Sequence, residues 1–163
     1  MRKNRLLRLM IAFSAFVILL GIADSSSAQP RREARGRAMT KRQVKTVIDR
    51  VEDRVDNFVK NFDKSLDRSR LDGSSREDQL MKRARDLEAA TDELSREFGR
   101  RDKWGENKDE VRKCLKIASD IDLSVKRNKF GSVTEGNWSR VRYELNTLAD
   151  IYNLPKVSAM IYG

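Results

Sequence analysis

From Val44 onward, apolar side chains recur every three or four residues, and this spacing restricts the possible folds most strongly. The apolar positions of the first segment are Val44, Ile48, Val51, Val55, Phe58 and Phe62. Such a stripe is typical of an amphipathic helix and approaches a coiled-coil-like seam. No stretch alternates apolar and polar residues with the period of two expected for a half-buried strand. The pattern therefore predicts an all-α protein.

Three further segments repeat this spacing. Their stripes are Leu80, Ala84, Leu87, Thr91, Leu94 and Phe98; Val111, Leu115, Ala118, Ile121 and Val125; and Trp138, Val141, Leu145, Leu148 and Tyr152. The pattern predicts helices over 41–68, 75–98, 108–127 and 135–153. Because short connections favour antiparallel neighbours, we expect an antiparallel up-down four-helix bundle. A two-helix coiled-coil hairpin that dimerises is the alternative, and the glycines in the connections disfavour it.

The predicted helix ends carry capping signals. In a capping box, a hydroxyl or amide residue is followed three positions later by Glu or Gln. The four candidate pairs are Thr40 with Gln43, Ser74 with Glu77, Asn107 with Glu110, and Ser132 with Glu135. Gly73, Gly99 and Gly131 are expected to end the first three helices, because left-handed backbone favours glycine there.

Residues 1–28 have the pattern of a secretory signal peptide. Basic residues precede an apolar run from Leu9 to Ile22, and the small residues Ser26 and Ala28 precede Gln29. We expect cleavage before Gln29 and a periplasmic or secreted protein without an integral membrane span. An uncleaved anchor is the alternative, although the run is shorter than the roughly 20 apolar residues that a spanning helix needs.

The positive charge is concentrated in an arm after the signal peptide. The chain has a formal net charge of +10, of which only +2 falls on residues 44–163. Residues 29–39 have almost no large apolar side chain, so a disordered basic arm is expected. Its candidate contacts to an anionic surface are Arg31, Arg32, Arg35 and Arg37; a plain solvated spacer is the alternative. Nucleic acid is disfavoured as a partner because no aromatic residue interleaves with these arginines.

Enzymatic chemistry is disfavoured by composition. The chain has no histidine and one cysteine, which excludes His-based triads, an intrachain disulfide and a Cys-based zinc site. An EF-hand frame beginning at Asp67 fails, because Leu71 and Asp72 occupy its fifth and sixth positions. We therefore predict no catalytic site, no cofactor and no metal.

Four carboxylates and one cysteine on the predicted helices are expected to have structural rather than catalytic roles. The carboxylate pairs Asp49/Asp53 and Glu52/Asp56 are expected on a solvated face, since acid–base catalysis requires a cleft that separates their pKa values. Cys114 borders an apolar stripe and is expected to be a buried free thiol. An intermolecular disulfide is the alternative for Cys114.

The aromatic residues are also assigned to packing. Trp138 and Tyr152 lie two heptads apart on one stripe and are expected in the core. Tyr143 falls off that stripe and is expected to be partly exposed. Trp104 and Phe130 lie in predicted turns, where they are expected to cover the bundle ends.

Several short segments resemble a group of exported bacterial proteins. These are residues 66–73 (LDRSRLDG), residues 90–94 (ATDEL), Asn137-Trp138 and Tyr152-Asn153. The combination resembles uncharacterised exported proteins of environmental bacteria that share a small all-helical domain, and it spans about residues 44–154 in one copy. The resemblance implies a helical fold and export. It implies no activity, cofactor or catalytic residue.

The predicted organisation is a signal peptide (1–28), a basic arm (29–39), a four-helix bundle (40–155) and a C-terminal tail (156–163). We expect a non-enzymatic binding or structural protein of the cell envelope, with a protein or an anionic envelope component as its partner. A periplasmic chaperone-like or stress-associated protein is the alternative. A homo-oligomer is left open.

Overall fold

The computed structural model describes residues 39–158. Their four α-helices are α1 (Lys41–Leu66), α2 (Ser75–Arg100), α3 (Lys108–Asn128) and α4 (Ser132–Tyr152), and a 3-10 helix (Trp104–Asn107) precedes α3. Helix accounts for 82% of the described residues and strand for none, which confirms the all-α prediction. The arrangement is compatible with a helical bundle.

The four predicted stripes meet in a single core. Every stripe residue named above is buried, including the polar Thr91. The ring of Phe58 lies 4.9 Å from that of Phe62 and 5.0 Å from that of Trp138, centroid to centroid, so α1 and α4 share an aromatic layer. At the bundle ends, Phe130 packs edge-on against Phe62. Burial of these faces is the main stabilising contribution expected for such helices.

Each helix contacts two others: α1 packs against α2 and α4, and α3 packs against the same two helices. Polar contacts cross between the elements near their ends. The Ser65 and Thr134 hydroxyls lie 2.6 Å apart, at the end of α1 and the start of α4. The Lys41 ammonium donates to the Arg101 carbonyl at 2.6 Å, joining the start of α1 to the end of α2.

Two capping predictions are confirmed. Thr40 and Gln43 form the complete capping box of α1. At α2, the Ser74 hydroxyl accepts from the Glu77 N–H, as predicted. The Glu77 carboxylate, however, accepts from the N–H of Gly73 at 2.7 Å.

The predicted caps of α3 and α4 and the three predicted stop glycines are wrong, since α1 ends at the cap Asp67 and α3 at the cap Lys129. Helix α4 begins at Ser132, three residues early, and its cap is Gly131 with a φ of 94°. The early start brings Thr134 against Ser65, a tertiary contact that a local pattern does not contain. Asn107 makes no side-chain cap bond at α3. Gly99 lies inside α2, whose end is held by Lys41.

The chain folds back after α4. Asn153 adopts left-handed backbone with a φ of 50°. Val157 then lies fully buried, although the sequence analysis placed it in the tail. Its N–H donates to the Asn146 side chain at 2.9 Å, and its carbonyl accepts from the Ser119 hydroxyl at 2.6 Å. Among residues 39–158, no helix combines the length and apolar character needed to cross a membrane.

Candidate functional site

Asp122 on α3 is a buried carboxylate at the contact with α4. It follows Ala118 by four residues and precedes Val125 by three, so it shares their inward face and its side chain is 0% exposed. The carboxylate accepts from the Trp138 indole N–H at 2.9 Å and from Arg142 at 3.1 Å. A buried charge is tolerated only when it is paired and hydrogen-bonded, and these contacts meet that requirement.

A second cation completes the cluster. The Lys126 ammonium lies 2.5 Å from the other oxygen of Asp122, one helical turn along α3. Trp138 and Arg142 are likewise one turn apart on α4. The Asp122 carboxylate is therefore contacted by one residue of its own helix and by two residues of α4. Burial disfavours ionisation of Asp122, but the ion pair with Lys126, the hydrogen bond from Trp138 and the charge of Arg142 together outweigh it and lower the pKa of the carboxyl. Asp122 is therefore charged at neutral pH.

These groups lie at an open groove of about 330 Å³ between α3 and α4, which we call the α3–α4 groove. Its lining residues are Asp122, Val125, Lys126, Lys129, Glu135, Trp138, Ser139 and Arg142. Lys126 and Arg142 keep 52% and 33% of their side-chain surface exposed, whereas Asp122 keeps none. The groove therefore presents to solvent the cations that Asp122 holds in place.

The predicted arm contacts Arg31, Arg32, Arg35 and Arg37 lie outside the described residues. The structure therefore gives no position for the candidate anionic-surface contacts.

The carboxylate pairs of α1 face the surface. Asp53 and Asp56 are exposed, and Asp49 pairs with Lys45. Partial burial and the nearby charge of Asp92 on α2 raise the pKa of Asp56. Asp56 therefore lies among like charges contributed by both α1 and α2.

A second acidic group lies at the corner between α1 and α2. One carboxylate oxygen from each of Asp67, Asp72 and Glu77 lies within 4.8 Å of the others. The failed EF-hand frame disfavours calcium at this corner, and the local sequence pattern does not predict that the three acids lie close together. Exposed acids commonly cluster without a metal, and the Glu77 carboxylate already accepts from the Gly73 N–H.

The remaining candidates behave as packing or surface residues. Cys114 is buried, and burial raises the pKa of its thiol to about 12. Trp138 and Tyr152 are buried in the core, while Tyr143 is 71% exposed. The Tyr152 hydroxyl donates to the Trp104 carbonyl at 2.8 Å, which fixes the turn before α3.

Asp122 is not among the site residues predicted from the sequence. One signal was available: position 122 falls on the apolar face of α3, four residues before Lys126, in the acid-before-base order that favours an i,i+4 pair. Its pairing with Trp138 and Arg142 is not local, because those residues lie 16 and 20 positions away.

Comparisons with known proteins supply no relative, since no protein-family model, curated protein or solved structure gives a significant match to this chain.

Proposed function

We propose that this chain is an exported, non-enzymatic binding protein of the cell envelope that holds its partner in the α3–α4 groove. The observation that carries the proposal is the buried Asp122 carboxylate, which fixes two cations and an indole at the edge of an open groove. A buried ion pair contributes little stability compared with apolar residues of similar size. Preorganised polar groups around a concave surface are instead typical of binding sites.

The proposed bundle topology is up-down and antiparallel. The contact between the start of α1 and the end of α2 supports this arrangement, as does the contact between the end of α1 and the start of α4. Helices α2 and α3 also run antiparallel, because Arg83 pairs with Asp120 and the later Glu93 pairs with the earlier Lys113, each at 2.5 Å. In this topology the α3–α4 groove lies between consecutive helices.

A non-enzymatic role is supported by the state of the single thiol. Cys114 is the one cysteine of the chain, and its burial and raised pKa disfavour the thiolate that a nucleophile requires. The chain also has no histidine to act as a general base near neutral pH. The envelope location rests on residues 1–28 and the arm, which lie outside the described residues.

Site-specific photo-crosslinking in cells tests the use of the groove. A photoreactive amino acid replaces Ser139 in the groove or, as the control, Ala89 on the exposed face of α2. We expect a discrete crosslinked product from position 139 and none from position 89. The same products from both positions, or none from position 139, would contradict the proposed function.

A further inference from the structure

The α3–α4 groove contains more positive than negative side chains. Its lining holds the cations Lys126, Lys129 and Arg142 against the carboxylates Asp122 and Glu135. Asp122 is completely buried and is bound by both Lys126 and Arg142. Its charge is therefore used inside the protein, while the cations remain accessible.

The accessible cations keep unused hydrogen-bond donors. A guanidinium has five N–H donors, and the Asp122 carboxylate takes one from Arg142 through Nη1 at 3.1 Å. An ammonium has three donors, and Lys126 directs one face towards Asp122. Both side chains line the groove, are partly exposed and keep N–H donors that Asp122 does not use, and such donors on cations suit an oxyanion.

The presence of three cations in the lining of one groove favours an anion with several oxygens. Lys126 lies on the last turn of α3, Lys129 is the residue that caps its end, and Arg142 lies on α4 in the lining of the same groove. A carboxylate offers two oxygens in one plane, whereas a terminal phosphate offers three in a tetrahedral arrangement and carries up to two charges. We infer that the α3–α4 groove binds a phosphate group through Lys126, Lys129 and Arg142, with Asp122 as the positioning residue. This inference rests on the proposed function and names the chemistry of its ligand.

Titration with inorganic phosphate, followed by amide NMR shifts of the protein, tests the inference. We expect shift changes clustered at residues 122–142 and binding at least about tenfold tighter than that of acetate. The double variant Lys126→Gln/Lys129→Gln should lose about tenfold or more in affinity. The matched control Lys60→Gln/Lys64→Gln removes the same charge from the exposed side of α1 and should bind like the parent protein. The dispersion of amide chemical shifts in spectra recorded without phosphate checks that each variant is folded.

Two lipid preparations distinguish the possible sources of the phosphate. Vesicles of phosphatidylglycerol and of phosphatidylcholine are compared by co-sedimentation of the same variants, in which residues 29–39 are unchanged. Phosphate binding that depends on Lys126 and Lys129, without a matching loss of phosphatidylglycerol binding, assigns the site to a soluble phosphate compound. A loss in both assays assigns it to a lipid headgroup.

Equal phosphate affinity in the groove variant and the parent would overturn the inference, as would an equal loss in the control variant. These results are independent of crosslinking at position 139. A crosslink without phosphate binding would leave the groove as a binding site for another kind of ligand.

Discussion

Replacing Asp122 tests the energetic role of the buried carboxylate. Asp122→Ala removes the acceptor of the Trp138 indole N–H and the charge that faces Lys126 and Arg142. Asp122→Asn removes the charge but keeps an oxygen that can accept from Trp138. The two variants therefore separate the hydrogen bond from the ion pairs.

The expected loss of stability depends on how exposed the partners of Asp122 are. Removing one partner of a fully buried ion pair costs about 3–5 kcal/mol, because a charge is left without water. Lys126 and Arg142 are 52% and 33% exposed, so both can recover hydration. The Trp138 N–H is buried and cannot recover hydration, so the loss of its acceptor costs about 1–3 kcal/mol of stability. We expect Asp122→Ala to lower the free energy of unfolding by about 2 kcal/mol and Asp122→Asn by about 1 kcal/mol.

Urea unfolding followed by far-UV circular dichroism measures these differences. With a slope of about 2 kcal/mol per molar urea, Asp122→Ala should lower the midpoint by about 1 M without changing the slope. In a Trp138→Phe background, which has no indole donor, Asp122→Ala should cost about 1 kcal/mol less. Equal costs in the two backgrounds would refute the assignment of the lost stability to the indole hydrogen bond.

The pH dependence gives a second measurement on the same variants. The pKa of Asp122 is lowered in the folded protein, so its charge stabilises the fold above the unfolded value of about 3.9. That contribution is lost as the pH falls through the lower folded pKa. The stability difference between the parent and Asp122→Asn should therefore be constant from pH 7 to about pH 5 and shrink below about pH 4. A difference that persists unchanged at pH 2 would refute the ionic contribution.

Three other substitutions or reactions test the rest of the structure. Leu87→Asp places an unpaired charge in the core and should abolish a cooperative thermal transition, whereas a melt near the parent midpoint would contradict the packing of α2. Cys114, with a pKa of about 12, should resist a thiol reagent at pH 8 in the folded protein and react fully in denaturant. Burial and mutual repulsion raise the pKa values of Asp56 and Glu88, so Asp56→Asn or Glu88→Gln should raise the melting temperature at pH 7 and leave it unchanged near pH 3.

The helices and the core could be predicted because both depend on local spacing. Positions such as Leu87 and Leu145 lie on stripes defined by neighbours three or four residues away, and both are fully buried. The start of α4 could not be predicted in this way. The pattern of Ser132 and Glu135 is local, whereas the contact between Thr134 and Ser65 joins residues 69 positions apart.

The candidate site also depends on contacts between residues far apart in the sequence, and more strongly than the helix ends do. Its charged members are ordinary surface residue types, and an acid with a lysine four positions later is common on exposed helices. Only the packing of α3 on α4 buries Asp122 and brings Trp138 and Arg142 to it. The spacing of apolar residues predicts that Asp122 lies on the inward face of α3, but it does not predict which residues of α4 contact it.

The contacts of Asp122 also bear on how α3 and α4 align. Apolar stripes tolerate a shift of one helical turn, about 5.4 Å, because one aliphatic contact replaces another. The same shift would separate Asp122 from both Trp138 and Arg142, which lie 2.9 and 3.1 Å from its carboxylate. It would leave the buried Trp138 N–H without its acceptor and Asp122 with only its contact to Lys126 on the same helix, at a cost of about 1–3 kcal/mol. The contacts of Asp122 with Trp138 and Arg142 thus favour one register of α3 against α4, the register in which the groove forms. A buried charge of small net stabilising value contributes in this way to a single folded arrangement.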